Sequence, residues 1–274
     1  MKALLLKTLL FAIAISGFAF VAEAKEPKRM LVVTVTKGFR HKSIPTAEEV
    51  LGQIAEKSGT FTVDYVRNDK DMAEKMTMEN LKKYDGVIFA NTTGDLPLPD
   101  KQGFLNWIQS GKAFIGMHSA TDTFRGHKPL DPYIQMIGGE FKSHPPGLQS
   151  VSCIVENPHH PACRHLPNPW NVKDEIYLLN GFDRNTVSML LSLDKHPGNQ
   201  EPGFFPVAWI KEYGRGKVFY TSLGHDDSIW RDPVYQQHIL GGINWALGLD
   251  KSRVREINEL LKKTNPGARN PRGN

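Results

Sequence analysis

Hydrophobic positions in the first half of the chain alternate between two periods. Four apolar stretches have the pattern of β-strands, and they lie at 31–36, 61–65, 87–90 and 113–117. Three intervening segments carry apolar residues at helical spacing, and these begin near Pro45, Met78 and Pro99. Strands that alternate with helices predict a parallel sheet covered by helices on both faces, and continuous apolar runs are typical of its buried strands.

The second half of the chain contains more strand-like segments. They lie at 149–155, 175–179, 187–193, 205–209 and 217–220. A last helix begins at Asp232 and Pro233, with apolar residues at helical spacing up to Leu247. No linker or repeat separates the two halves, so the sequence predicts one α/β domain over 25–250. Its expected architecture is a doubly wound, mostly parallel sheet flanked by helices, which is a three-layer sandwich.

Both ends of the chain differ from this domain. Lys2 and Lys7 precede an apolar run at 9–22 that ends in Ala22-Glu23-Ala24, the order of a secretory signal peptide. The run is shorter than the roughly 20 residues of a membrane-spanning helix, although an uncleaved anchor is an alternative. We therefore predict export to the periplasm or the extracellular space, with cleavage near Ala24 and no stable membrane anchor. The last residues, 251–274, predict the end of a helix and a basic disordered tail.

The 274-residue chain carries a net charge of +5 and contains two cysteines. The excess charge lies partly in the tail and forms no stripe with aromatic residues, which argues against nucleic-acid binding. The sequence has no P-loop and no GxGxxG segment, so no nucleotide cofactor is expected. In an exported protein, Cys153 and Cys163 could form a disulfide, but two buried thiols or a metal ligand are the alternatives.

The segment Gly116-Met117-His118-Ser119 follows a predicted buried strand and combines small residues with one histidine. Small neighbours let a strand turn sharply and expose the middle side chain, as at the nucleophile elbow of hydrolases. Imidazole at such a corner favours a metal ligand or a general base. The alternative is a histidine that packs beneath a helix and bonds to the backbone.

Other polar residues follow other predicted strands. They are Arg40 and His41, His144 in a Gly- and Pro-rich loop, the Asp174-Glu175 pair, and His225 next to Asp226 and Asp227. Because ligands of such sheets bind beyond the carboxyl ends of the strands, these side chains are candidates for one site. A solvated loop, a plain turn and a helix cap at Asp226 or Asp227 are the competing interpretations. Neighbouring carboxylates on a strand point to opposite faces, so only one of Asp174 and Glu175 is expected at the site.

Together these segments resemble the ThuA-like family, named for trehalose utilisation. The matching segments are Gly38-Phe39-Arg40-His41, 116–122, 138–141 with His144-Pro145, 174–177, 206–209 and 216–225. The resemblance implies a fold like that of the class I glutamine amidotransferases, which is flavodoxin-like. Those enzymes carry a cysteine at the elbow, where this chain has His118, and a histidine after a late strand, where it has His225. Amidotransferase chemistry is therefore not expected.

The resemblance also implies carbohydrate substrates, either disaccharides or 3-keto-glycosides made by partner sugar oxidoreductases. Our first hypothesis is a metal-assisted lyase, hydrolase or isomerase, with His118, Glu175 and His225 as catalytic residues. A divalent metal, with zinc favoured, would be held by members of a set comprising His41, His118, His144, His225 and one carboxylate. Arg40, Asp122 and Trp209 are the candidate substrate-binding residues.

Two alternatives to the metal-assisted enzyme are open at this point. A non-catalytic carbohydrate-binding protein would use aromatic side chains to stack on sugars, and the candidates are Trp209, Trp230, Tyr177 and Phe124. An amide or ester hydrolase would use Ser119 as its nucleophile, although a small residue is also what the corner requires.

Overall fold

The computed structural model describes residues 26–249. The predicted signal peptide and the predicted tail lie outside the described residues. The first half alternates strands and helices: β1 (Lys28–Val33), α1 (Ile44–Ser58), β2 (Phe61–Val66), α2 (Asp69–Lys75), α3 (Met78–Leu81), β3 (Gly86–Ala90), α4 (Lys101–Gln109) and β4 (Ala113–Met117). A 3-10 turn (His118–Asp122) follows β4 directly, and α5 (Pro132–Ile137) comes next.

Strands dominate the rest of the chain. They are β5 (Glu140–Ser143), β6 (Gln149–Val155), β7 (Trp170–Asp174), β8 (Leu178–Asn180), β9 (Ser188–Lys195), β10 (Pro202–Tyr213) and β11 (Gly216–Thr221). Two helices, α6 (Asp227–Arg231) and α7 (Pro233–Ala246), complete the described chain. Within residues 26–249, no helix is both long enough and apolar enough to cross a membrane.

A nine-stranded sheet runs through the molecule in the order β2-β1-β3-β4-β11-β10-β9-β6-β7. The pairings from β2 to β11 are parallel, and those from β11 to β7 are antiparallel. The change occurs at β10 and β11, which form a hairpin whose turn includes Gly214 with a φ of 61°. A hairpin imposes antiparallel pairing, whereas parallel neighbours need a crossover connection. The predicted helix-flanked α/β sheet is confirmed, with an antiparallel extension on one side.

Helices cover both faces of this sheet, as expected for three layers. Buried residues of α1 and α7 pack on one face, and those of α4 and α5 pack on the other. The central strands β3 and β4 lie between the two layers and are buried at every position. The apolar runs at 87–90 and 113–117 therefore predicted the central strands correctly.

The strand predicted at 175–179 is correct only for Leu178 and Leu179, which lie in β8 and pair with β5 outside the nine-stranded sheet, whereas residues 175–177 lie in no strand. The ladder instead contains β7, in which Trp170, Val172 and Asp174 are buried and alternate with exposed Asn171 and Lys173. That alternation was present in the sequence as a signal of period two. The chain leaves the ladder at Glu175, which frees this carboxylate for the site described below.

The structure agrees with one of the alternatives left open for the two cysteines, which is a pair of buried thiols. Cys153 and Cys163 are separate free thiols, and both are buried. Burial raises the pKa of each thiol to about 12, so both are protonated at neutral pH. The two cysteines thus behave as small apolar residues of the core.

A buried histidine in α7 predicts part of the pH dependence of stability. His238 is fully buried, and its Nδ1–H donates to the carbonyl of Ala162 at 2.8 Å. Burial lowers its pKa to about 3, and nearby His165 and His160 add to this effect. The unfolded chain takes up this proton near pH 6.5, so stability falls as the pH drops from 6.5 towards 3.

We expect His238→Asn to flatten this dependence, because asparagine keeps a donor for the carbonyl of Ala162 and does not titrate. The free energy of unfolding, measured with urea at several pH values between 4 and 7, should depend on pH less steeply in the variant. The difference in slope should be about 1 kcal/mol per pH unit. Equal pH dependence of the unfolding free energy in the wild type and the variant would contradict this expectation, because it would mean that His238 takes up its proton in the folded protein as it does in the unfolded chain.

Candidate functional site

Four polar side chains meet beyond the carboxyl ends of four strands of the sheet. His41 lies in the loop after β1, His118 follows β4, His225 follows β11, and Glu175 follows β7. Because β1, β3, β4 and β11 are parallel neighbours, their loops leave the sheet at the same edge. One ligand atom from each of the four side chains lies within 4.8 Å of all the others.

The corner after β4 has the sharp turn that its sequence predicts. His118 has a φ of 48°, which is the left-handed region that a non-glycine residue occupies at a cost of about 1–3 kcal/mol. A Cβ on Gly116 would lie 2.8 Å from Cδ1 of Ile137, so only glycine fits beneath the corner without displacing a neighbour. The expectation of an exposed histidine is wrong, because the His118 side chain is completely buried under the other site residues.

Hydrogen bonds fix the orientation of His118. Its Nδ1 lies 2.8 Å from the carbonyl oxygen of Ser222, which accepts only, so we assign the proton to Nδ1. The Tyr220 hydroxyl donates to the backbone carbonyl of His118 at 2.7 Å. In this tautomer Nε2 carries a free lone pair, and this atom faces the cluster.

The other ligand atoms surround Nε2 of His118. The distances from it are 3.1 Å to Nε2 of His41, 3.3 Å to Nδ1 of His225 and 3.6 Å to Oε2 of Glu175. Oε2 of Glu175 also lies 3.1 Å from Nδ1 of His225. Ser119 is buried, and its hydroxyl lies 3.4 Å from Nδ1 of His41, where it helps to orient that ring.

The protonation of the cluster favours its use as a ligand set. Burial lowers the pKa of His41 to about 4, and the nearby positive charge of His225 adds to the effect. Burial also holds the pKa of His118 well below its usual value, with a further contribution from His41. The pKa of His225 is raised, and the largest cause is the hydrogen bond between His225 and Glu175. His41 and His118 are therefore neutral at pH 7, which is the form of imidazole that binds metals.

Only Glu175 of the carboxylate pair lies in the cluster, in agreement with the expectation that one of the two would reach the site, and Asp174 supports the site from a neighbouring position. Glu175 contacts the histidines, whereas the buried carboxylate of Asp174 holds the loop that carries His225. This carboxylate accepts from the backbone N–H groups of Gly224 at 2.7 Å, His225 at 3.2 Å and Asp226 at 3.1 Å. Burial raises the pKa of Asp174 to about 6, and these backbone donors oppose the shift.

His144 lies outside the group of four. Its Nδ1 is 3.1 Å from Oε1 of Glu175 and 2.9 Å from the carbonyl oxygen of Pro145, and its side chain is 37% exposed. Both neighbours are acceptors, so we assign the proton to Nδ1. His144 thus extends the cluster towards solvent through Glu175.

The four central residues fit a divalent metal ion. Three imidazole nitrogens and one carboxylate oxygen are an ordinary zinc ligand set, and metal–ligand bonds of about 2.0–2.1 Å in a tetrahedron separate the ligand atoms by about 3.3 Å. The three distances of 3.1–3.6 Å from Nε2 of His118 lie close to this separation, and all pairs of the four ligand atoms lie within 4.8 Å. Buried polar atoms of such a cluster could therefore hold a metal.

The sequence over residues 29–246 matches the family model ThuA, described as trehalose utilisation. The chain belongs to the ThuA family. Two similar crystal structures are of ThuA-like proteins described as putative. The one from Bacteroides uniformis is 22% identical, with 84% of this chain and 95% of that chain covered and a TM-score of 0.65. The one from Parabacteroides merdae is also 22% identical, with 81% and 90% covered and a TM-score of 0.63.

These structures establish the fold, and their identity is too low to transfer residue roles. The comparison with curated proteins found no match. The resemblance stated from the sequence motifs is confirmed by the family match, and the fold is consistent with a class I glutamine amidotransferase-like sheet.

The proposed substrate-binding residues of this ThuA-family protein lie in different environments. Arg40 is exposed in the loop after β1, and its guanidinium donates to the carbonyl of Thr34 at 3.1 Å. Asp122 is partly buried and pairs with Arg125. Trp209 is completely buried and donates its indole N–H to Ile137 at 2.8 Å, so it has no face for a sugar.

The other aromatic residues proposed for sugar stacking are also buried. Trp230 is 0%, Tyr177 3% and Phe124 4% exposed. Tyr177 nevertheless belongs to the site wall, because its ring centroid lies 4.3 Å from that of His118. Neither the Ser222 carbonyl nor the wall position of Tyr177 carried a specific sequence signal, since both depend on how separate strands pack.

Proposed function

We propose that this ThuA-family protein is an exported, metal-assisted enzyme that acts on disaccharides or 3-keto-glycosides. The observation that carries the proposal is the convergence of three imidazole nitrogens and one carboxylate oxygen at the ends of parallel strands. Such an arrangement requires several buried polar side chains to face each other, which is costly unless a bound group compensates.

Zinc is the ion we favour, because it accepts imidazole and carboxylate ligands in tetrahedral sites. His41, His118, His225 and Glu175 would hold it. When bound, such an ion polarises a carbonyl oxygen or lowers the pKa of a bound water to about 7. The Ser222 carbonyl and the Asp174 carboxylate would keep His118 and His225 oriented, as residues behind metal ligands do elsewhere.

His144 is our candidate for moving a proton. Its Nδ1–H faces Oε1 of Glu175 and the Pro145 carbonyl, which leaves Nε2 as the basic atom of the neutral ring. Because the His144 ring is partly exposed, it can contact a substrate whose inner side faces Tyr177 and the buried histidines.

A 3-keto-glycoside suits this arrangement chemically. The ketone at C3 acidifies the hydrogen at C2, and a base such as His144 takes that proton. The electron pair of the C2–H bond forms a C1–C2 double bond, the glycosidic C1–O bond breaks, and the leaving oxygen departs as an alcohol after protonation. Sugar oxidoreductases that convert the C3 hydroxyl to a ketone would supply the substrate.

Metal analysis combined with turnover tests the proposal. We expect protein purified from the export compartment to retain close to one divalent ion per chain. Removal of the ion with a chelator should abolish turnover of 3-keto-trehalose or a related 3-keto-glycoside, and added zinc should restore it. The readouts are elemental analysis and release of the free sugar.

A matched control is His127→Ala, because His127 is exposed and pairs with Asp95 away from the four ligands. This variant should keep its metal and its turnover. Protein that binds no metal at micromolar zinc, or turnover that survives chelation, would remove the metal from the proposed function.

A further inference from the structure

Phe39 is an exposed aromatic side chain immediately beside the proposed metal site. It is 65% exposed, and Phe204 at 38% is the other large hydrophobic residue with an exposed side chain among residues 26–249. The Phe39 ring lies edge-to-face with His41 at a centroid distance of 4.9 Å. The His41 ring also lies edge-to-face with His118, at a centroid distance of 4.7 Å. An apolar surface therefore lies in direct contact with one member of the ligand cluster.

The backbone around Phe39 is held rigidly, although its ring is exposed. The Thr93 hydroxyl accepts from the N–H of Gly38 at 3.1 Å and donates to the carbonyl of Phe39 at 2.9 Å. The N–H of Lys37 donates to the carbonyl of Thr93 at 2.7 Å. Gly94, with a φ of 73°, lies so close to Lys37 that a Cβ there would be 2.9 Å from the Lys37 Cβ. The ring is thus presented on a fixed loop.

A rigidly held, exposed phenyl ring is unfavourable in water but favourable for binding. Covering an exposed aromatic ring removes apolar surface from water, which is favourable, and a fixed backbone avoids the entropy of ordering a loop. Arg40, next in the chain, is exposed and supplies hydrogen-bond donors on the same loop. A flat apolar face bordered by donors is complementary to a pyranose, which has one C–H face and a rim of hydroxyl oxygens.

We propose that Phe39 is the stacking platform for a sugar ring of the substrate, with Arg40 bonding to its hydroxyl groups. This inference rests on the proposed function for the substrate class, because the reacting atoms of the sugar must reach the cluster to which His41 belongs. It assigns binding of the substrate to Phe39 and chemistry to the histidine cluster.

The test compares Phe39→Ala with Phe204→Ala. Phe204 is the matched control because it is also exposed, but it packs on Phe182 and on the Arg184 guanidinium. For 3-keto-trehalose, we expect Phe39→Ala to raise KM about 10-fold or more with little change in kcat and no change in metal content. Phe39→Trp should restore KM, and Phe204→Ala should resemble the wild type.

Calorimetry with trehalose gives a readout that does not depend on turnover, and Phe39→Ala should weaken this binding by a similar factor. Unchanged KM and trehalose affinity in Phe39→Ala, or equal losses in both alanine variants, would overturn the stacking role. If the wild type bound trehalose through Phe39 but held no metal, the metal would be removed from the proposed function and the stacking role of Phe39 would stand. If the wild type bound no sugar, both would fail.

Discussion

The His118→Asn variant is expected to lose its metal and its activity while keeping its fold. Asparagine tolerates a positive φ better than most residues, and its amide N–H can still donate to the Ser222 carbonyl. Its side chain is too short to place an atom at the position of Nε2, from which the contacts to His41 and His225 of 3.1 and 3.3 Å are made. Zinc affinity should fall more than about 100-fold, because even residues behind metal ligands contribute 10- to 100-fold.

Equilibrium zinc titration of the chelated protein measures this change, and turnover should fall at least in proportion. Circular dichroism and thermal unfolding of the metal-free proteins provide the control for folding, because removal of a ligand should leave the apo protein near its original stability. A His118→Asn protein that binds zinc as the wild type does would exclude His118 from the ligand set.

The Asp174→Asn variant is expected to destabilise the loop after β11 and to weaken metal binding. The side-chain amide of asparagine has one accepting oxygen where the carboxylate has two. Its NH2 group would therefore face a backbone N–H, and two donors cannot bond to each other. If the oxygen stays with Gly224 and His225, the bond to Asp226 at 3.1 Å is lost. Loss of a buried bond to a charged acceptor costs about 2 kcal/mol, and the displaced His225 should lower zinc affinity about 10-fold or more.

Asp226→Asn is the matched control, because the substitution is the same and lies in the same loop. Asp226 caps α6 by accepting from the N–H of Ser228 at 2.9 Å, and asparagine is an equally good cap. Urea unfolding and zinc titration should therefore separate the two variants. Equal effects at both positions would indicate that Asp174 acts through general charge and not through the loop that it holds.

The corner at His118 illustrates what the chain pattern could and could not provide. Small residues after a buried strand predicted the turn, and the positive φ of His118 bears this out. Its burial was not predicted, because the covering rings of Tyr177 and His225 come from distant segments. The same limit applies to Trp209, whose indole lies in the core although an aromatic residue in a family segment suggested a binding role.

The carboxylate pair shows the second limit. A strand at 175–179 predicted that Asp174 and Glu175 point to opposite faces. In the structure β7 ends at Asp174. The Asp174 carboxylate therefore bonds to the loop after β11, and the Glu175 carboxylate contacts the histidines. Strand ends depend on which neighbour continues the ladder, and in the pairing of β7 with β6 the partner residues are 17 to 25 positions apart in the chain.

The sequence by itself determined the layered α/β fold, the strand-end positions of His41, His118 and His225, and the family. It could do so because burial of central strands, helical periodicity and small-residue corners are local patterns. Only the tertiary structure decided which side chains share one centre, that the two cysteines are unpaired, that His144 lies outside the group of four, and that Phe39 is exposed beside His41. Those facts depend on sheet order and on packing between segments far apart in the chain, which set distances of a few ångströms that no local pattern encodes.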